Sequence, residues 1–177
     1  MVRLYAVRHG QTEWNVQNKV CGRTDIPLTE QGIAQAEALA EKAKELDIDV
    51  IVSSPMIRAR RMSDIVSKAC NAPIIEDARL IETNFGEYEG IDRYDPKFRE
   101  QKRQFARKYP GGESMFQVAH RVYGLLEDVK ARYDGKSVLL VCHGGVCRII
   151  RTYFEDMTNE EFYGYSPENG VVSEYML

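Results

Sequence analysis

The chain has 177 residues, 44% of them hydrophobic and 29% charged, which suits one domain with a substantial core and argues against disorder. Its formal net charge is −3 and no basic arm dominates it, so no nucleic-acid partner is expected and any bound anion should be small and locally held. The amino terminus goes straight into a strand-like pattern broken by Arg3 and Arg8, which excludes a signal peptide and a membrane span from the reading and makes the cytoplasm the expected compartment.

The first expected element is a strand over 2–7. It ends at "RHGQTEWN", where His9, one of only three histidines, stands between Arg8 and Gly10. The segment "LTEQGIAQAEALAEKAKEL" then sets Ile33, Ala36, Leu39, Ala40, Ala43 and Leu46 at helical spacing behind Thr29, a residue type that caps helix amino termini. A second strand is expected over 49–53. "SSPMIRARRMSDIVSKA" follows as a helix with Ser54 as cap, Pro55 at the first position, and Met62, Ile65, Val66 and Ala69 on its apolar stripe. A third strand over 73–77 leads into "LIETNFGEYEG". The run "RYDPKFREQKRQFARKY" carries Lys97, Arg99, Lys102, Arg103, Arg107 and Lys108, the pattern of a solvated helix face or of a lid that attracts anions. A helix from Ser114 should bury Val118, Val122, Leu125 and Val129, leaving His120 on its surface side. Strands over 137–142 and 170–176 complete the series, the first of them running into "CHGGVCR" and His143.

Strand and helix patterns alternating in this way predict an α/β fold. The expected form is a three-layer sandwich with a mainly parallel central sheet flanked by helices and a short helical lid, all in a single domain over 1–177. In open α/β sheets ligands bind outside the carboxyl ends of the strands. His9-Gly10, Ser53-Ser54 and His143-Gly144 all fall at such ends and should share one pocket. Arg8 adjoins the first of these turns, and Arg58, in the first turn of its helix, can point back over the strand ends. Two guanidinium groups converging there suit a phosphate or carboxylate. They would also repel a cation, and no HxH or HxxxH spacing is present, so no metal site is expected. Cys21, Cys70, Cys142 and Cys147 lack CxxC spacing and read as reduced thiols.

"RHGQTEWN", "GRTDIPLTEQGIAQAEALA", "SSPMIRARR", "FGEYEG", "PGGES" and "CHGGVCR" stand in this order between about residues 3 and 150. In that series the chain resembles the histidine phosphatase superfamily, and in particular the small phosphatases of its phosphoglycerate mutase-like branch. The resemblance implies that His9 is the nucleophile that becomes phosphorylated, that Arg8, Arg58 and His143 complete the phosphate pocket, and that Asn15 orients it. It places Glu82 as the proton donor, although Glu87 and Glu89 are competing acids in the same loop. It sets Cys21, Gly22 and Gly144 along the substrate approach, which would make Cys21 sensitive to alkylation. It implies no cofactor and a small-molecule phosphomonoester as substrate. Met62 and Cys21 depart from the residues usual in the family. Trp14 either packs against the core or lines the pocket.

The chemistry is consistent with that scheme. A histidine attacks phosphorus only when neutral, and the charges of Arg8 and Arg58 would both disfavour its protonation and attract the anion. A carboxyl group could protonate the leaving alkoxide and then activate water. Two rivals remain at this point. "VCHGGVCR" also fits C-x5-R, from Cys142 to Arg148, the phosphate loop of cysteine-dependent tyrosine phosphatases, with Asp95 as the acid. A mutase shares every residue named for the histidine mechanism, but needs a closed, dry site. The segment between Glu82 and His143 leaves only one short basic helix as cover, which favours hydrolysis.

Overall fold

The computed structural model describes residues 1–177. Its elements in chain order are β1 (Arg3–Arg8), α1 (Glu13–Val16), α2 (Glu30–Ala43), β2 (Val50–Ser53), α3 (Ile57–Cys70), β3 (Ile74–Glu76), α4 (Pro96–Lys102), α5 (Met115–Arg132), β4 (Ser137–Cys142), α6 (Gly144–Phe154), α7 (Asn159–Gly164) and β5 (Val172–Met176). Single 3₁₀ turns occur at Ala78–Leu80 and Gly86–Tyr88. The five strands form one sheet in the order β3-β2-β4-β1-β5, with β5 antiparallel and the others parallel.

Alternate residues of the central strands feed two cores, one on each face of the sheet. Val138, Leu140 and Cys142 of β4 join Leu4 and Ala6 of β1 beneath α5 and α6. Leu139 and Val141 join Tyr5 and Val7 beneath α2 and α3. All six residues of β4 are buried, as expected of a parallel strand covered on both faces, and this is why it reads as an unbroken apolar run. The three layers expected from the sequence are therefore present.

The register aligns the strand ends that matter. Arg8 pairs with Cys142 and Ser53 with Val141, and the ladder continues one step further, with His9 N–H donating to the Cys142 carbonyl at 2.9 Å and Ser54 N–H to the Val141 carbonyl at 2.9 Å. His9, Ser54 and His143 thus leave the sheet side by side. Gly10 lets the His9 turn lie against α2: a β-carbon there would sit 2.4 Å from the Gly32 carbonyl oxygen, and one on Gly32 would sit 2.2 Å from the Gln11 carbonyl oxygen. The two glycines of "RHG" and "LTEQG" are one close approach seen from its two sides.

Thr29 caps α2, accepting from Gly32 N–H at 3.1 Å, and Ser114 caps α5 in a capping box with Gln117. The expected start of the helix carrying Arg58 is corrected. It begins at Ile57, not Pro55, and Met56 occupies its N-cap position. Ser54 does not cap it. That duty falls to Asp25, whose Oδ1 accepts from Ile57 N–H at 2.8 Å. The basic run is helical only over Pro96–Lys102, and α1, α6 and α7 are further helices that the apolar spacing did not single out.

Candidate active site

His9 is 4% exposed. Its Nδ1 lies 2.7 Å from the Gly10 carbonyl oxygen, an acceptor only, so Nδ1 carries the proton and Nε2 carries the lone pair. Arg58 Nε donates to that lone pair at 3.2 Å. Arg58 itself is fully buried, with its Nη atoms on the carbonyls of Thr24 at 2.9 Å and Gly22 at 2.7 Å. Burial, then Arg58, then Arg8 hold His9 well below the ordinary histidine range. The imidazole is therefore neutral at physiological pH, with its basic nitrogen turned towards cations.

His143 meets His9 edge-on, with ring centroids 5.1 Å apart. Its Nε2 lies 2.8 Å from Ser54 Oγ, which also accepts from Met56 N–H at 3.3 Å. The hydroxyl can satisfy both contacts by donating its proton to Nε2. In that arrangement the His143 proton sits on Nδ1, a buried atom without a partner in the protein. Ser54, expected as a helix cap, instead holds His143 by its Nε2.

Of the three acids in the loop after β3, only Glu82 lines the cleft. Its Oε1 accepts from Thr83 N–H at 2.8 Å and its Oε2 from Gly145 N–H at 3.0 Å. Gly145 must lack a β-carbon, which would fall 2.5 Å from Oε1. Glu87 is exposed. Glu89 is a clamp: its carboxylate accepts from Gly22 N–H, Arg23 N–H and Thr24 Oγ1 at 3.1, 2.9 and 2.9 Å. In this way it shapes the loop whose carbonyls hold Arg58.

The remaining expected residues fall around the same cleft, which measures about 350 Å³ and is lined by Arg8, Asn15, Cys21 and Gly144 among others. Arg8 Nη1 donates to the Pro167 carbonyl at 3.0 Å, and its Nε has no partner. Asn15 Oδ1 accepts from Thr12 N–H at 3.1 Å, closing the turn after His9. Gly22 lies behind Cys21, with its carbonyl on Arg58. Cys21 does not meet the expectation of a sensitive thiol, because burial pushes it up to about 11 and it stays protonated at neutral pH. Trp14 packs over Gly90, whose β-carbon would come 3.1 Å from the ring, and does not line the cleft. His120 is exposed as expected.

Comparison with known proteins places the chain in a family. The sequence profile "Histidine phosphatase superfamily (branch 1)" matches residues 4–176. The chain belongs to the histidine phosphatase superfamily. Within it, the chain is 40% identical over 151 residues to the "Probable phosphoglycerate mutase GpmB" of Escherichia coli, covering 81% of this chain and 70% of that one. Among solved structures, it superposes on a mycobacterial glucosyl-3-phosphoglycerate phosphatase complexed with VO3 with a TM-score of 0.87 at 29% identity, over 97% of this chain and 91% of the other. It matches a phosphoserine phosphatase of Entamoeba histolytica, in complex with 3-phosphoglyceric acid, with a TM-score of 0.87 at 25% identity, over 99% and 91%. Phosphoryl chemistry of the phosphatase or mutase kind follows from membership in this superfamily.

The cysteine rival does not fit this member of the superfamily. Cys142 is fully buried in the core with its Sγ 3.4 Å from Cys147 Sγ. Burial first, then the Cys147 contact, raises its thiol well above the usual range. Arg148 Nε and Nη2 are on the Tyr165 carbonyl at 2.9 and 2.6 Å. No thiolate faces an anion there.

Several supporting residues carried no local signal. Asn169 Nδ2 donates to the His9 carbonyl at 2.6 Å and so ties the carboxyl-terminal loop to the His9 turn. Glu113 of "PGGES" accepts from Asn84 N–H at 2.9 Å and pairs with Arg23 at 3.3 Å and Arg121 at 3.1 Å. Both arginines reach the Glu82 carbonyl, at 3.0 and 3.3 Å. The motif thus braces the peptide that presents Glu82.

Holding two histidines neutral has a thermodynamic consequence. His143 is also held well below its ordinary range, by burial and then Arg58, with His9 and Arg8 adding. In the unfolded chain both would protonate near pH 6.5. The unfolded state therefore binds more protons below that value. Stability is full above it and is lost as pH falls from there towards the folded values, with a slope approaching about 2.7 kcal/mol per pH unit for the two groups together. Denaturant titrations between about pH 7.5 and 5.5 should show that decline; stability flat or rising across the window would mean that the histidines are not neutral.

Proposed function

We propose that this protein is a metal-independent phosphomonoesterase that hydrolyses a small phosphorylated metabolite, working in the cytoplasm. The observation that carries the reading is the His9 tautomer: a buried neutral imidazole whose Nε2 lone pair faces Arg58, with Nδ1–H anchored on Gly10. Phosphate entering this corner takes N–H groups from Arg58, Arg8 and His143 Nδ1, and frees the lone pair to attack phosphorus. Fixed donors of this kind stabilise charge on the transferring group, each by about 10²–10³ in rate. Glu82 protonates the leaving alkoxide, and its carboxylate then takes a proton from the water that cleaves phosphohistidine. The cationic lining would repel a metal ion, which supports a metal-free route.

Hydrolysis is favoured over phosphoryl return because the cover is slight. The lid is α4, of seven residues, and Tyr94 at the cleft mouth is 62% exposed. Incubation with 3-phosphoglycerate and catalytic 2,3-bisphosphoglycerate in the presence of EDTA should release phosphate and glycerate. Rapid accumulation of 2-phosphoglycerate with little free phosphate would establish the mutase instead. Activity lost to EDTA and restored by a divalent ion would end the metal-free mechanism.

A further inference from the structure

Glu82 has two duties in the proposed reaction, and each of its oxygens is half engaged. Oε1 accepts from Thr83 N–H at 2.8 Å and Oε2 from Gly145 N–H at 3.0 Å, which leaves each oxygen a further lone pair for a proton. These bonds fix the carboxylate against the backbone. Neither of them holds the water that Glu82 must activate.

Thr83 follows Glu82 directly and is fully buried, yet its Oγ1 has no hydrogen-bond partner in the protein. Buried hydroxyls are nearly always paired, so an orphan beside a catalytic carboxyl points to a ligand. Thr83 lines the cleft together with Glu82 and Gly145. Its hydroxyl and the carboxyl face the same side of Gly145, where a β-carbon would come 2.5 Å from Glu82 Oε1 and 3.0 Å from Thr83 Oγ1. The two oxygens are neighbours without a direct hydrogen bond between them, the setting that a single water bridges. The backbone that carries them is tightly held. Arg23 and Arg121 both donate to the Glu82 carbonyl, and the Thr83 carbonyl packs so closely on Gly22 that a β-carbon there would come within 2.3 Å of it. The phosphate corner has unpartnered groups of its own, Arg8 Nε and His143 Nδ1. Thr83 differs from the arginine in kind, because a hydroxyl accepts as well as donates.

We infer that Thr83 is a positioning residue for the hydrolytic water, which its hydroxyl holds against Glu82. The inference rests on the phosphomonoesterase reading above and adds to it how the water is aimed. The water donates one hydrogen to the Glu82 carboxylate and the other to Thr83 Oγ1, so that a lone pair of its oxygen faces phosphorus. As the new O–P bond forms, the bond from phosphorus to His9 Nε2 breaks and its electron pair returns to the imidazole. The water proton passes to Glu82, which is thereby recharged for the next leaving alkoxide, and Thr83 gains and loses no proton. This role belongs to the second half-reaction alone, because the first uses no water.

Thr83→Val keeps the shape of the side chain and removes the hydroxyl. Rapid quench during reaction with p-nitrophenyl phosphate and with 3-phosphoglycerate follows the formation of acid-labile phosphohistidine and its decay as separate rates. In Thr83→Val formation should stay within about twofold of wild type on both esters while decay slows about tenfold, the scale of one hydrogen bond, so that phosphohistidine accumulates. Thr83→Ser, which keeps the hydroxyl, should restore the decay. Thr83→Ala, the smaller hydroxyl-free variant, should repeat the split if valine crowds the site. Removing a hydroxyl that has no partner in the protein should leave Tm unlowered in Thr83→Val, whereas loss of a structural bond would lower it. Decay at the wild-type rate in both hydroxyl-free variants, or formation and decay slowed by the same factor, overturns the role of Thr83 and leaves the phosphatase reading standing. Wild-type protein that forms no phosphohistidine on either ester overturns that reading and the role together.

Discussion

His9→Ala should lose on the order of 10⁴-fold or more in kcat, the scale seen when a covalent nucleophile is removed from a constellation that acts as a unit. The effect is large because nothing nearby can substitute. His143 has its Nε2 engaged by Ser54 Oγ at 2.8 Å, and the thiol of Cys21 is pushed up to about 11 by burial. Cys142→Ala is the contrasting variant. It removes a thiol from the core beneath the cleft and should retain most of the activity, at a packing cost of about 1 kcal/mol. Wild-type protein quenched during turnover in alkaline detergent should carry phosphate on His9 that is released by acid, and His9→Ala should carry none. Turnover that survives in His9→Ala and vanishes in Cys142→Ala would transfer the chemistry to the cysteine.

The phosphate corner was legible because its parts lie in contiguous motifs at strand ends. A parallel sheet buried on both faces writes its central strands as apolar runs, and the residue after each run is where a ligand binds. His9, Ser54 and His143 fall at those points, and the register of β1, β2 and β4 makes them neighbours. The role of Ser54 was misread because a serine before a proline looks like a helix cap when only local sequence is visible; its partner His143 lies 89 positions away, and the true cap, Asp25, comes from another loop. The outer cleft was harder still. Lys102 of α4 falls in the basic run already read as a possible lid, but Tyr109, from the loop before α5, and Tyr163, from α7, are unremarkable in their own segments. Arg148 stood out only through a spacing to Cys142 that the fold does not use. The same limit hid Glu113, since what it braces is the Glu82 peptide rather than anything in "PGGES".

Glu82→Gln should split the two half-reactions according to leaving group. With an alkyl phosphate the departing oxygen needs a proton, and loss of the acid should lower kcat by about 10²–10⁴. With p-nitrophenyl phosphate the leaving anion is stable, so attack by His9 should proceed nearly as in wild type, whereas the water step lacks its base. The expected trace is a burst of one p-nitrophenol per active site followed by slow turnover, with phosphate accumulating on His9. The substitution has a structural cost, because Glu82 accepts from both Thr83 N–H and Gly145 N–H and a glutamine can accept only one of these bonds through its oxygen while its amide nitrogen faces the other donor. That conflict is worth about 1–3 kcal/mol and should appear as a lowered Tm without loss of the burst. Glu89→Gln separates the two roles: it loosens the Gly22–Thr24 loop and with it the carbonyls that hold Arg58, so it should slow both substrates together and give no burst. If Glu82→Gln instead slows the alkyl and the nitrophenyl ester by the same factor, with no burst, then Glu82 holds the loop of Gly145 in place and the proton is supplied by another group.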